Sequence, residues 1–280
     1  MTASVSVVVP VRNGMPWLDD QLAALVDQQV DLVWEIVIVD NGSTDGSLAC
    51  AHRWASRSGI IRVFEAPDAH GASGARNVGA SVAAGSYLLF CDADDVVRPG
   101  WIAACARALN RADVVAGSFE FGSLRGHPSE PVPAATRQLN FLPAALGANV
   151  AVRRVAFDAV GGFTEDLRVG EDIDFSWRLQ LRGFRFVIAR DAVVAKRERE
   201  DASATFRGAL AYGRSGAVLF HRFRDAGMRR DLWGATKSWA WLVLHVPRLV
   251  DPIDRQRWVR AVGMRIGRLL GSLQTGTFFP

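Results

Sequence analysis

The stretch GSYLLFCDADDVVRPG, Gly85 to Gly100, runs an apolar, strand-like segment straight into three carboxylates, Asp92, Asp94 and Asp95. Two unit charges about 5 Å apart repel by about 3 kcal/mol at an effective dielectric of 20. A chain that ends a buried strand in this way needs something to offset that repulsion. A hard divalent cation held through oxygen does so and leaves positions for water and a substrate phosphate.

Working outward, strand-like and helix-like runs alternate through the first half: SVSVVVPV, WLDDQLAALVDQ, EIVIVD, SLACAHRWAS, IIRVFEA, ARNVGASVAA, YLLFCDA, WIAACARAL. Short apolar runs separated by helical ones predict an α/β fold, a doubly wound and mostly parallel sheet covered on both faces. Ligands of such sheets bind outside the carboxyl ends of the strands. Two strands end there in acid, EIVIVD at Asp40 and YLLFCD at Asp92. An Asn-Gly turn follows Asp40, with Thr44 or Asp45 as the candidate cap of the next helix.

After Phe119 the chain becomes rich in Pro, Gly and polar residues, and a second unit opens near Gln138 with GANVAVRRVAFDAVGGF. VGEDIDFSWRLQLRG then predicts a helix that starts on Glu171 and Asp172 and stops at Gly183.

At 280 residues and 49% hydrophobic content the chain builds an ordinary globular core. Three scattered cysteines, Cys50, Cys91 and Cys105, make neither a zinc site nor a disulfide framework and suit a reducing cytoplasm. MTASVSVVVPVRN lacks a basic leader and reads as a first strand. No Gly-x-Gly occurs and no GxxxxGK[ST], so the dinucleotide fingerprint and the P-loop are both absent. The five histidines are isolated from one another, which removes HExxH chemistry.

Taken in order, VVVPVRNG, VDNGSTDGS, GARNVGAS, CDADD and VGGFTEDLRVGEDIDFSWRLQLRG resemble family 2 of the inverting nucleotide-sugar glycosyltransferases, which have the GT-A fold. The resemblance covers roughly Ser4 to Val194. It implies that Pro10, Arg12, Asp40 and Arg76 line a nucleotide pocket, Asp40 accepting from the base and Asp92 lying near the ribose. It further implies that Asp94, with Asp92, binds Mg²⁺ or Mn²⁺, that Asp95 lies close to the donor sugar, and that Asp172 is the general base, with Glu171 beside it. A carboxylate at a helix N-terminus is stabilised in its charged form, so this position predicts a lowered pKa for Asp172.

The implied donor is a nucleotide-diphosphate sugar, a UDP-sugar first. The implied acceptor is a saccharide or lipid-linked hydroxyl of a cell-surface polysaccharide or glycolipid, as in cell-envelope biosynthesis; no nucleic acid is implied. Sugar-phosphate nucleotidyltransferases share the sandwich, but that class wants a Gly-rich loop where PVRNGMPW has only Gly14. A non-catalytic sugar-nucleotide-binding module would not need Asp94 and Asp172. One departure is plain: where many relatives carry a metal-ligating His, this chain has Lys196 and Arg197. A protonated Lys ligates no metal but can contact phosphate.

The expected organisation is a GT-A catalytic domain over 1–205, with a nucleotide-sugar half at 1–120 and an acceptor and base half at 121–205, followed by a helical extension over 206–280. From Phe206 to Pro280 there are thirteen Lys or Arg and four Asp or Glu. Lys237, His245, Pro247 and Arg248 interrupt its apolar runs, so it should not cross a bilayer. A basic, Trp-rich helical surface can lie on an anionic membrane from the cytoplasmic side. The same Trp and Leu residues would serve equally to pack on the catalytic domain.

Overall fold

In a computed structural model the chain is described over residues 4–127, 129–133, 135–197, 202–246 and 251–280. Pro247 and Arg248 lie outside the described residues. Two compact units emerge: Met1–Thr136, Pro143–Asp166 and Glu171–Glu198 form the first, and Arg137–Leu142, Leu167–Gly170 and Arg199–Pro280 the second.

The first unit opens with β1 (Val5–Val11), α1 (Leu18–Val26), β2 (Trp34–Asp40), α2 (Ser47–Ala55), β3 (Ile61–Glu65) and α3 (Gly71–Val82). It continues with β4 (Tyr87–Cys91), β5 (Val96–Val97), α4 (Trp101–Leu109) and β6 (Val114–Phe121). Short strands β7 (Val132–Pro133), β8 (Thr136–Arg137) and β9 (Pro143–Ala144) lead to β10 (Asn149–Arg153), α5 (Arg154–Val160), α6 (Glu171–Leu181) and β11 (Phe186–Lys196).

Nine strands form the main sheet in the order β3-β2-β1-β4-β10-β6-β11-β5, with β7 on β6, and β8 pairs with β9 in a separate two-stranded sheet. It is parallel from β3 through β4. β10 is antiparallel to both of its neighbours, so the sheet beyond it is mixed. Alternation along β1 makes the two layers. Val5, Val7, Val9 and Val11 pack with Leu18 and Leu22 of α1 and Trp101 of α4. Val8 faces the other core, with Ala75 of α3, Phe157 of α5 and Phe175 of α6. Burying apolar area on both faces at about 25 cal/mol per Å² holds the sandwich together. α2 begins at Ser47 rather than at the predicted cap, yet Asp45 still accepts from the Ser47 backbone N–H at 2.9 Å. Cys50, Cys91 and Cys105 are all buried and free. Burial raises each thiol pKa, that of Cys50 to about 11.

Among the described residues the second unit holds the α-helices α7 (Ala202–Phe223), α8 (Leu232–Leu244) and α9 (Pro252–Thr275). α7 and α9 meet backbone to backbone along Gly263, Gly267 and Gly271. A Cβ added at Gly267 would stand 2.1 Å from the Leu210 carbonyl oxygen. Side chains of any size there force the helices apart. Gly267→Leu is therefore expected to destabilise the chain by about 3 kcal/mol, read as a lower urea midpoint. An unchanged midpoint would mean that this helix contact is dispensable.

Candidate active site

The polar loops at the carboxyl ends of β1 and β2 are stitched together. Thr44 donates its backbone N–H to Asn13 Oδ1 at 2.8 Å, and Gly14 donates to Ser47 Oγ at 2.8 Å. Pro10 pairs in register with Val39 on β2, and Arg12 follows β1 as an exposed side chain with no part in the ion-pair cluster around Arg76 and Lys196. Asp40 is buried at the end of β2, where one oxygen accepts from the Ser43 N–H at 3.0 Å. Its Oδ1 and the neighbouring Asn41 Oδ1 are buried and accept no hydrogen bond from the described residues. Burying an acceptor without a donor costs about 1–3 kcal/mol, so both oxygens suit a ligand that brings N–H or O–H groups.

The turn after β4 carries the carboxylate triad. Oxygens of Asp92, Asp94 and Asp95 lie within 4.8 Å of one another. Sheet register brings a cation to them. Val194 of β11 pairs with Val97 and Ala195 with Val96 in antiparallel sense, so the next step sets Lys196 opposite Asp95. The Lys196 ammonium sits 2.7 Å from Asp95 and 3.3 Å from Asp92. Arg197 adds its backbone N–H to Asp95 at 3.0 Å and a guanidinium N–H to the Asp94 carbonyl at 2.9 Å. Burial raises the Asp95 pKa to about 6 despite Lys196. It also pushes Asp92 upward, but Arg76 and Lys196 outweigh it and hold that carboxyl below its ordinary value.

Arg76 links this triad to the start of α6. Its buried guanidinium donates to Asp92 at 2.8 Å and to Glu171 at 3.0 Å. Gly147 makes the room, because a Cβ there would meet the guanidinium carbon at 2.8 Å. Asp172, next along α6, accepts from the Gly147 N–H at 3.0 Å. Burial, then the charge of Asp172, raises the Glu171 pKa to about 7, with Arg76 opposing.

Burial raises Asp172 as well. This corrects the expectation that a helix N-terminus would lower it. Favourable N–H contacts are present, but loss of water around a buried carboxylate outweighs them.

The structure thus gathers Arg76, Asp92, Asp95, Glu171 and Lys196 into one ion-pair network, with Asp94 and Asp172 beside them. Arg197, noted in the sequence beside Lys196 without a role, also stacks its guanidinium 3.9 Å from the Trp17 ring centroid. Sequence reasoning missed Asp174, a buried residue held by Thr164 and Arg178 that fixes α6 in place. The oxygen-only donor set fits a hard dication. Asp92, Asp94, Asp95, Glu171 and Asp172 gather around two cations, Arg76 and Lys196, an acid excess that a divalent ion would offset; the Arg197 guanidinium is paired with Asp20. Asp94 and Asp92 would be its ligands.

The model of Glycosyl transferase family 2 matches residues 6–161, and that of Glycosyl transferase family group 2 matches residues 87–274. The pre-mycofactocin glycosyltransferase of Mycobacterium tuberculosis is 25% identical over 296 residues, which cover 97% of this chain and 59% of that protein. Glycosyltransferase GlyG of Streptococcus pneumoniae is 33% identical over 121 residues, 42% of this chain and 40% of its own. The chain therefore spans about half the length of these curated relatives. Among solved structures, mannosyltransferase PcManGT of Pyrobaculum calidifontis, in complex with GDP-Man and Mn²⁺, aligns over 98% of this chain and 88% of its own. Its TM-score is 0.67 at 17% identity. S. aureus TarS 1–349 in complex with UDP-GlcNAc aligns over 99% and 93%, with TM-score 0.58 at 20% identity. Both likenesses show the GT-A fold.

Proposed function

Because the chain belongs to glycosyl transferase family 2, whose model spans more than half of it, we propose that it transfers a sugar from a nucleotide-diphosphate donor to an acceptor hydroxyl with inversion. One observation carries the reading: a single buried guanidinium, Arg76, binds both the carboxylate triad and the acidic start of α6. Donor diphosphate and attacking hydroxyl need to meet within that reach. The relatives' complexes with GDP-Man and UDP-GlcNAc support a nucleotide-sugar donor. A UDP-sugar is the first to try.

In this reading Asp40 accepts from the base, Pro10 and Arg12 flank the nucleotide, and Asp92 lies by the ribose. Asp94 and Asp92 hold Mg²⁺ or Mn²⁺, which when bound neutralises the departing diphosphate. Lys196 adds a fixed positive charge beside the same phosphates, and Asp95 meets the donor sugar. Asp172 takes the proton of the acceptor hydroxyl as its oxygen attacks the anomeric carbon opposite the diphosphate. The proton moves to the carboxylate and the bond electrons leave with the nucleotide. A general base of this kind contributes about 10²–10⁴-fold. The acceptor is a saccharide or lipid-linked hydroxyl of the cell surface, reached from the cytoplasmic face, with residues 206–280 resting on an anionic membrane.

Calorimetry tests the donor half of this reading. With Mn²⁺ the wild-type chain should bind UDP, or a UDP- or GDP-sugar, about tenfold more tightly than with chelator, a gain of about 1.4 kcal/mol. Asp94→Ala should lose that gain while keeping the metal-free affinity. Undiminished metal enhancement in the variant would remove Asp94 from the cation site. Failure of every nucleotide and nucleotide sugar to bind would remove the donor reading itself.

A further inference from the structure

Between α8 and α9 lies a cavity of about 520 Å³. Lys237 and Trp241 of α8 and Arg257, Arg260, Met264 and Arg265 of α9 line it, with no Asp or Glu among the described lining residues. Like charges gathered on one cavity repel. Of the neighbouring acids, Asp254 lies 3.7 Å from the outermost lining cation, Arg257, whose side chain is 70% exposed, and Asp231 caps α8 through the Gly234 N–H. Arg265 gives one N–H to Ser238 Oγ at 2.9 Å, while its Nη1 is buried and makes no hydrogen bond among the described residues. Burial lowers the Arg265 pKa, and the charge of Asp231 only partly opposes it. The cationic lining and the buried Arg265 Nη1 point to an anion.

A small free anion does not account for the rest of the surface. α8 exposes Leu232, Trp233, Trp239, Val243 and Leu244, the last two at 72% each. The ammonium of Lys237 stands 5.1 Å from the Trp233 ring centroid, so cation and aromatic face the same region. Among the described residues no helix is long and apolar enough to cross a membrane, and the 13 residues of α8 reach only about 20 Å. A helix of this kind lies in the interface, apolar residues toward the acyl chains and cations at the headgroups. Trp241, which lines the cavity, is itself stacked on His245 with centroids 4.4 Å apart.

We propose that the cavity between α8 and α9 binds the phosphate-bearing headgroup of an anionic lipid while the exposed apolar residues of α8 enter the acyl layer. The proposal rests on the membrane attachment put forward under the proposed function and assigns it a site. Lys237 and Arg260 are exposed, so Lys237→Gln with Arg260→Gln leaves the fold intact. Arg229→Gln with Arg255→Gln removes the same charge from the same unit outside the cavity.

The full chain should sediment with phosphatidylcholine vesicles containing phosphatidylglycerol and not with phosphatidylcholine alone. The cavity pair should weaken that binding about 25-fold, about fivefold per cation, and the control pair less than about threefold. Short-chain phosphatidic acid, kept monomeric, should raise the melting temperature of the wild type and not of the cavity variant, and inorganic phosphate should not substitute for it. Equal losses in the two pairs would leave membrane attachment standing as diffuse electrostatics and overturn the cavity assignment. A phosphatidic acid shift without any vesicle binding would keep the cavity and remove the membrane. Phosphate as effective as the lipid, or tighter retention of a single-stranded oligonucleotide, overturns the proposal.

Discussion

Asp172→Asn folds, binds nucleotide with near wild-type affinity, and transfers sugar at least about 10²-fold more slowly, as expected for loss of a general base. The amide keeps an oxygen for the Gly147 N–H and gives up only the acceptor offered to the Ile173 N–H next to it. The pH profile carries the stronger test. Both acids of the pair have raised pKa values, Glu171 at about 7, and the base works only when ionised. Wild-type turnover should therefore rise with pH through about neutrality, reporting the pair as a unit. In the variant that rising limb should vanish. Normal turnover in Asp172→Asn would transfer the role to Glu171, and a retained limb with low turnover would make Asp172 a positioning residue only.

Arg76→Ala is expected to lower stability by about 3–5 kcal/mol, because it leaves buried carboxylates without their cation. Lys196 still reaches Asp92, so most of the loss should come from Glu171. That residue also sets the sign of the pH effect. Glu171 in the folded chain holds its proton up to about 7, above its ordinary 4.5, so its contribution to stability falls as pH rises between those values. Losing Arg76 extends that fall. The variant should sit closest to wild type near pH 5 and furthest from it near pH 8 in urea denaturation. Arg76→Lys should recover only part, since one ammonium cannot fork to two carboxylates. Equal stability at pH 8 would mean that water already solvates the pair.

Much of this was legible along the chain because it is local. Apolar runs of five to seven residues, broken by Gly and Asn turns, announced β1, β2 and β4, and the acids at their ends announced the site. The same holds for α6, where Glu171 opens the helix and Gly183, at φ +86°, turns the chain away just past its end. The partner of each acid could not be read locally. Arg76 and Glu171 are 95 residues apart, and Lys196 reaches Asp95 across 101; only the register of β11 on β5 makes the second pair. The pKa of Asp172 went the wrong way in the sequence argument for a related reason. A helix terminus is visible in one dimension and burial is not. The stripe of Gly263, Gly267 and Gly271 is different, since its spacing of four was in plain view. Glycine in a helix reads as weakness until a second helix is known to lie against it.

The three buried thiols of the first unit give the experimenter a silent background. None is exposed, and each keeps its proton well above neutral pH, so a maleimide can reach them only when the sheet opens. Their alkylation rate, divided by that of the unfolded chain, then measures the opening equilibrium under native conditions, without denaturant. A single cysteine introduced on α8 would react at once and could carry a spin label or fluorophore to report depth in a bilayer. One chain would thus yield two readings on separate clocks, seconds for the introduced thiol and hours for the native ones.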